Sequence, residues 1–169
     1  AAVLEARNSG QGQVVDAAMV DGSALLTTMF HGLKAMGMWT DDRGSNLLDG
    51  GAPFYDVYET SDGGYMAVGP IEPKFYVHFL EGMELTGEMP GQYDQTRWPE
   101  LKELITKQFK TQTRDEWTDI FGDRDACVYP VLSMSEATEH PYNTERNTFI
   151  EVDGVTQPAP APRFDRTPL

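Results

Sequence analysis

Apolar side chains recur every three or four positions from Met19 to Met36, as they do along one face of an amphipathic helix. We therefore predict a helix there, with Gly37 ending it. The preceding residues, 10–18, are expected to form a turn and then a short strand. Residues 38–53 are rich in Gly, Asp, Asn and Ser and show no period, which predicts an ordered connector between two folded regions.

A β-hairpin is predicted next. Runs rich in aromatic and β-branched residues occupy 55–58 and 65–68, on either side of the turn sequence Ser61-Asp-Gly-Gly64. This order is typical of two antiparallel strands. Pro73 then stands where the first residue of a helix is favoured. The residues predicted to form the inward face of that helix are Phe75, Phe79, Leu80 and Met83.

Two further helices are predicted after a loop at 87–94. The first covers about 98–110. The second opens at Thr113, because Thr113 and Glu116 form the pattern of a capping box. The residues predicted to face inward from these two helices are Leu101, Leu104, Ile105, Phe109, Trp117, Ile120 and Phe121.

The next segments predict a strand, a capped helix and a second hairpin. The strand covers 127–132, and either Ser133 or Ser135 is expected to cap the helix that follows. An Asp-Gly turn joins two short β-rich runs at 149–152 and 155–157. Helices and hairpins without a regular βαβ alternation indicate a mixed α/β fold of the α+β type.

The tail, residues 158–168, is rich in proline. Proline-rich segments favour extended conformations, so we expect the tail to run over the surface.

Charge narrows the possible partners. The chain has 27 acidic and 13 basic residues and a formal net charge of −14. This balance argues against nucleic acid, which needs Lys and Arg to neutralise its phosphates, and against anionic membranes. No apolar run approaches the ~20 residues of a membrane helix. The chain opens on Ala1 and shows no targeting segment, so we expect an earlier natural start and a cytoplasmic, bacterial protein.

Cysteine and histidine content argues against a metal centre. Cys127 is the single cysteine, which excludes an internal disulfide and a cysteine-built zinc site. It lies in an apolar run and is expected to be packed in the interior. The three histidines, His31, His78 and His140, have no ligand-like spacing. We therefore expect no metal.

Two motifs lie close together in the middle of the chain, DGGAPFY at 49–55 and AVGPIEPKFY at 67–76. They resemble the segment that leads into and opens the small domain of the α-methylacyl-CoA racemases, within the family III CoA-transferase superfamily. Tyr129 and Pro70 stand where Thr and Ala are common in that family. The matching stretches also include, in order, GQVVD at 12–16, RGSNLLDGG at 43–51, WPE at 98–100, DACVYPVL at 125–132, ERNTF at 145–149 and APAPRF at 159–164.

The resemblance implies a 1,1-proton transfer. The α-carbon of a 2-methylacyl-CoA thioester would lose a proton on one face and regain it on the other, through an enolate. Such a reaction needs an acid and a base on opposite faces and hydrogen-bond donors for the developing oxyanion. The family's proton-transferring His and Asp lie upstream of the matching segment, so we expect this chain alone to be inactive. No cofactor is expected, because coenzyme A is part of the substrate.

Glu72 is the candidate catalytic residue. The resemblance implies that it hydrogen-bonds the catalytic His and stabilises its protonated form, as the aspartate does in the serine-protease triad. An alternative interpretation needs no catalysis. A carboxylate directly before Pro73 also interacts well with the N-terminus of a helix.

Tyr55, Asp49 and Gly50 are the candidate substrate-binding residues. The resemblance implies that Tyr55 lines the acyl pocket, whereas a tyrosine beside a hairpin is also a common core residue. Asp49, Gly50 and Gly51 could equally form a structural turn, since glycine pairs adopt positive φ at little cost.

The resemblance also implies how the chain is organised. Residues 1–45 would be a strand and linker helix from the edge of a large domain, and residues 46–169 the small domain with its proline-rich return segment. The expected partners are an acyl-CoA thioester and a second subunit in a homodimer. The basic site for coenzyme A would then lie in the large domain or in a partner subunit. Two alternatives stay open: the small domain of a family III CoA-transferase, and a non-catalytic dimerisation fragment.

Overall fold

The structure is a computed structural model that describes residues 1–85, 87 and 89–167. It divides into two compact units, Ala1–Ala52 and Pro53–Leu169. The first unit contains the helices α1 (Ala2–Ser9), α2 (Met19–Leu26) and α3 (Thr28–Ala35). The second contains, in chain order, β1 (Asp56–Glu59), β2 (Tyr65–Val68), α4 (Pro73–Gly82), α5 (Trp98–Phe109), α6 (Arg114–Gly122), β3 (Val128–Pro130), α7 (Met134–Glu139), α8 (Pro141–Glu145), β4 (Phe149–Val152) and β5 (Val155–Pro158).

The first unit differs from its prediction in two places. Residues 10–18 form no strand, because a strand requires a ladder to a neighbour and the described part of this unit offers none; Val14 is 94% exposed. The single helix predicted from 19 to 36 is interrupted at Thr27. The Thr27 hydroxyl donates to the Ala24 carbonyl oxygen at 2.8 Å, and such back-bonding bends helices. Helix α1 was not predicted.

The hairpin in the second unit is confirmed. Strands β1 and β2 pair antiparallel, with Tyr58 opposite Met66, and β3 adds antiparallel to the other edge of β2, with Met66 opposite Pro130. Tyr58, Met66 and Val128 are buried, so one face of this three-stranded sheet covers the core. The strand predicted at 127–132 is confirmed as β3.

The core of the second unit is aromatic. The ring of Phe79 on α4 stacks between Phe109 on α5 and Phe121 on α6, with centroids 6.4 Å and 6.1 Å away. Trp117 packs edge-on against Phe109, and its indole N–H donates to the Phe109 carbonyl oxygen at 3.0 Å. The three predicted helices are thus confirmed. Leu104 does not face inward as predicted: it is 37% exposed, since the buried side of α5 follows Leu101, Ile105 and Phe109 at intervals of one turn.

The inward face of α4 is also shifted from the prediction. Tyr76, Phe79 and Gly82 are its buried positions, whereas Phe75 and Leu80 are only half-buried. Met83, which directly follows the helix, is fully buried as predicted. The aromatic pattern predicted the helix correctly, but the choice of face depended on where α6 packs.

Local sequence signals predicted most of the remaining elements, but helix α8 was not predicted. Thr113 and Ser133 each cap a helix with a reciprocal capping box, to Glu116 and Glu136 respectively. Strands β4 and β5 form the second predicted hairpin, whose turn residues Asp153 and Gly154 have φ of 51° and 80°. Residues 159–167 contain no helix or strand; the rest of the predicted extended tail, Pro168 and Leu169, lies outside the described residues.

The mixed α/β prediction is therefore confirmed, without the N-terminal strand. None of the helices in the described ranges is long and apolar enough to cross a membrane.

Candidate functional site

Glu72 lies at the start of α4, as the sequence predicts. Its backbone is extended, with φ −71° and ψ 138°, and its carbonyl oxygen accepts hydrogen bonds from the N–H groups of Phe75 and Tyr76, both at 3.0 Å. Its side chain makes no capping hydrogen bond to the helix and is exposed. The helix dipole favours a negative charge at this end. The carboxylate therefore sits at a favourable position and is free of the capping role.

The loop that leads into Glu72 is held from a second segment. The side-chain amide of Gln92 donates to the carbonyl oxygens of Pro70 and Ile71, at 3.0 and 2.8 Å. The hydroxyl of Tyr93 also donates to the Ile71 carbonyl oxygen. The sequence predicts residues 87–94 only as a loop. No local pattern in it signals that the side chains of Gln92 and Tyr93 reach across to Pro70 and Ile71.

Cys127 lies beside the same loop. Its carbonyl oxygen accepts a hydrogen bond from the N–H of Gly69 at 2.9 Å, and its φ of 51° is rare for a residue with a side chain. Burial raises the pKa of the thiol, and the negative charges of Asp125 and Glu72 raise it further, against the opposing effect of Lys74. The thiol therefore stays protonated and is a poor nucleophile. Cys127 is half-buried rather than fully packed as expected.

Tyr55 also lies beside Gly69. A side-chain carbon built on Gly69 would lie 3.7 Å from both the Tyr55 ring and the Cys127 carbonyl oxygen. The Tyr55 side chain is 39% exposed, which does not fit the alternative of a core tyrosine. The structure thus places Tyr55 beside Gly69, at one end of the short loop that ends at Glu72, and leaves Tyr55 partly exposed.

Asp49 organises the connector. Its carboxylate accepts hydrogen bonds from the N–H groups of Gly44, Asn46 and Gly51 and from the side-chain amide of Asn46, at 2.7 to 3.2 Å. Burial on its own would raise the pKa of Asp49, but these hydrogen bonds together outweigh it and hold the pKa below its usual value. Every contact described for this carboxylate is therefore made within the connector.

The two glycines after Asp49 serve the same turn. Gly50 has φ 87°, a conformation that glycine adopts at little cost. A side-chain carbon on Gly51 would lie 2.6 Å from the backbone nitrogen of Asn46, too close for any other residue. Asp49 and Gly50 belong to the first unit, and Tyr55 and Glu72 to the second. Substrate binding by Asp49 and Gly50 stays a prediction.

Among the residues that the structure describes, no group of three or more His, Cys, Asp or Glu side chains could hold a metal ion. The chemical groups that the site offers are thus a carboxylate at a helix N-terminus, an exposed aromatic ring and a protonated thiol.

The whole chain, residues 1–169, matches the family model for CoA-transferase family III. It is 47% identical over 170 residues to an α-methylacyl-CoA racemase of Mus musculus and 43% identical over 169 residues to one of Homo sapiens. It is 30% identical over 161 residues to a CaiB/BaiF CoA-transferase family protein of Caenorhabditis elegans. These alignments cover 99%, 99% and 92% of the chain, which spans only 44% of each relative's length.

The fold is also similar to solved structures. A crystal structure of a hypothetical protein from Mycobacterium tuberculosis superimposes with a TM-score of 0.72 over 99% of this chain and 45% of its own. The sequence identity is 17%, so this likeness concerns the fold alone.

Proposed function

Because this chain belongs to CoA-transferase family III, we propose that it is part of an α-methylacyl-CoA racemase. The parent protein would epimerise 2-methylacyl-CoA thioesters by removing and returning the proton on the α-carbon. The observation that carries this proposal is the 43–47% identity to two racemases over 99% of the chain. The identity to the CoA-transferase family relative is 30%, which favours the racemase over the transferase alternative.

In this proposal the proton-transferring His and Asp belong to the part of the relatives' length that the chain does not span. Glu72 would approach the His from the start of α4. A carboxylate that accepts a hydrogen bond from an imidazole selects its tautomer and stabilises the imidazolium that forms while the enolate exists. The absence of a capping bond leaves the Glu72 side chain able to do this.

Tyr55 would contribute to the acyl pocket. Its exposed ring flanks the Gly69–Glu72 loop, and an aromatic face is suited to an apolar acyl chain. An acyl-CoA substrate, a homodimer and a cytoplasmic location belong to the same proposal. Since the net charge of this chain is −14, the phosphates of coenzyme A would be held by basic residues elsewhere in the parent protein or its partner subunit.

The test compares the parent polypeptide with the isolated 169-residue chain. Each is incubated with one epimer of a 2-methylacyl-CoA in deuterium oxide, and α-deuterium and the epimer ratio are followed by mass spectrometry and chiral chromatography. We expect the parent protein to incorporate deuterium and to produce the other epimer, and the isolated chain to do neither. Transfer of CoA to a carboxylic acid without α-exchange would instead establish the transferase alternative. Exchange by the purified isolated chain would overturn the proposed location of the acid and base.

A further inference from the structure

We propose that Gln92 is a positioning residue for Glu72, a role that rests on the proposed function of this site. Ile71 and Glu72 are joined by one planar peptide unit, which contains the carbonyl of Ile71 and the nitrogen of Glu72. Gln92 binds the carbonyl oxygen of that unit at 2.8 Å and the carbonyl oxygen of the preceding residue, Pro70, at 3.0 Å. Two consecutive peptide planes on the N-terminal side of Glu72 are thereby fixed by one side chain.

The C-terminal side of Glu72 is fixed independently. Its own carbonyl oxygen accepts from the N–H groups of Phe75 and Tyr76 in the first turn of α4. With the peptide planes on both sides held, the carboxylate keeps only its side-chain rotations. A carboxylate that must meet an imidazole at hydrogen-bond distance needs such a fixed base, because small displacements of a catalytic group are costly.

Gln92 is itself held in place. The backbone carbonyl oxygen of Gln92 accepts a hydrogen bond from the indole N–H of Trp98 at 2.9 Å. The next residue, Tyr93, packs edge-on against Phe54, with ring centroids 5.5 Å apart, and its hydroxyl shares the Ile71 carbonyl oxygen. Phe54 is fully buried and also contacts the Trp98 ring. The aromatic core is thus connected, through Gln92, to the loop that carries Glu72.

If Gln92 only stabilised the fold, the effect of its loss on turnover would not depend on Glu72. Pro70 is fully buried and Ile71 is half-buried, so loss of the Gln92 amide from their carbonyls should lower the melting temperature as well as release the peptide unit before Glu72. A positioning role is therefore distinguished from a stability role by its effect on the rate of the folded enzyme. That effect is a fall in turnover that depends on the presence of the Glu72 carboxylate.

The test is a double-mutant cycle in the parent protein, with α-deuterium exchange and melting temperature as readouts. Gln92→Leu should lower kcat roughly 10-fold or more with little change in KM, because misplacement affects the proton transfer rather than substrate binding. In a Glu72→Gln background the same substitution should lower kcat by less than about 2-fold. The matched control is Gln95→Leu, at an exposed position in the following turn, which should leave kcat unchanged.

Tyr93→Phe provides a second variant that keeps the ring against Phe54 and removes only the hydroxyl. It should reproduce the dependence on Glu72 with a smaller loss than Gln92→Leu, since Gln92 still holds Ile71. Equal losses in both backgrounds, or full activity of Gln92→Leu, would overturn the positioning role while leaving the proposed function intact. No exchange by the unmodified parent protein would overturn the proposed function, and with it this inference.

Discussion

Asn46 and Asp49 form a two-point contact, in which the backbone N–H and the side-chain amide of Asn46 donate to different carboxylate oxygens of Asp49, at 2.8 and 2.7 Å. Asn46 is only 3% exposed, so its amide depends on protein partners. Both hydrogen bonds are made between residues of the connector. Asp49 thus has a structural role regardless of any contact with substrate.

The first prediction concerns this contact. Asp49→Ala should lower the free energy of unfolding by roughly 1–3 kcal/mol, because it leaves the buried backbone N–H of Asn46 unpaired. The Asn46 side-chain amide would keep only its longer hydrogen bonds, to the carbonyl oxygens of Thr40 and Asp42 at 3.2 and 3.3 Å. Urea denaturation followed by circular dichroism would measure the change. The control Asp42→Ala, at an exposed position in the same connector, should change the free energy of unfolding by less than about 0.5 kcal/mol. Equal stability of the two variants would contradict the structural role of Asp49.

The second prediction compares two glycines. A side-chain carbon on Gly82 would lie 2.4 Å from a ring carbon of the buried Phe121, whereas one on Gly122 would meet nothing within 4 Å. Gly82→Ala should therefore lower the free energy of unfolding by about 1–3 kcal/mol. Gly122→Ala, at the end of α6, should raise it by about 0.4–1 kcal/mol, since alanine restricts the unfolded chain. Thermal melts of both variants, under one buffer condition, would show opposite signs if α4 and α6 pack as described.

The third prediction concerns acid stability. The Arg114 guanidinium pairs with Glu136, and this hydrogen bond, together with those from Ser133, holds the pKa of Glu136 at about 2, below its usual value of 4.5. A carboxyl whose pKa is lowered by folding stabilises the folded state above its unfolded pKa, and this stabilisation is lost as the pH falls through its folded pKa. The stabilisation should thus be complete above about pH 4.5 and disappear towards pH 2.

Thermal melts across that range would test it. Wild type should melt at a higher temperature than Glu136→Gln near neutral pH, and the two should converge as the pH approaches 2. The exposed Glu139→Gln on the same helix controls for the loss of one negative charge. A melting-temperature difference that is independent of pH would mean that the Arg114–Glu136 pair contributes nothing to acid stability.

Whether a sequence prediction was correct depended on how far apart along the chain the interacting residues are. The capping boxes at Thr113 and Ser133 depend on residues three positions apart. The sequence predicted the first as a capping box and the second as a cap at either Ser133 or Ser135. The strand expected at 10–18 was wrong because pairing with a neighbour, rather than local preference, decides whether a strand forms.

The same difference between local and distant interactions applies to the candidate site. The place of Glu72 before a helix follows from the adjacent Pro73, a local signal. The hydrogen bonds from Gln92 connect residues 21 and 22 positions apart in the chain, and no sequence period encodes them. The glycines after Asp49 allowed a structural turn to be predicted there. The sequence did not show that the Asp49 carboxylate accepts a hydrogen bond from the Asn46 side chain.

The fourth prediction separates catalysis from capping at Glu72. Glu72→Gln in the parent protein keeps the size and hydrogen-bonding capacity of the side chain but removes its charge. Because the carboxylate makes no capping bond, the free energy of unfolding should change by less than about 1 kcal/mol, the range of a charge interaction with the helix dipole. Loss of the partner that stabilises an imidazolium should instead lower the rate of α-deuterium exchange roughly 10²-fold or more.

The matched control for Glu72 is Glu81→Gln, which removes the same charge from an exposed position on α4. The Glu81 carboxylate lies 3.9 Å from the Arg124 guanidinium. The control substitution should leave exchange unchanged, since a surface ion pair of this kind contributes little. A large loss of exchange in Glu72→Gln with an unchanged melting temperature would place the carboxylate in the proton transfer. The reverse result, full exchange with a lowered melting temperature, would show that Glu72 acts only on the helix it precedes. The two roles can be separated because the interaction with the helix dipole stabilises the fold whether or not the reaction takes place. The interaction with an imidazolium contributes only while the proton is being transferred.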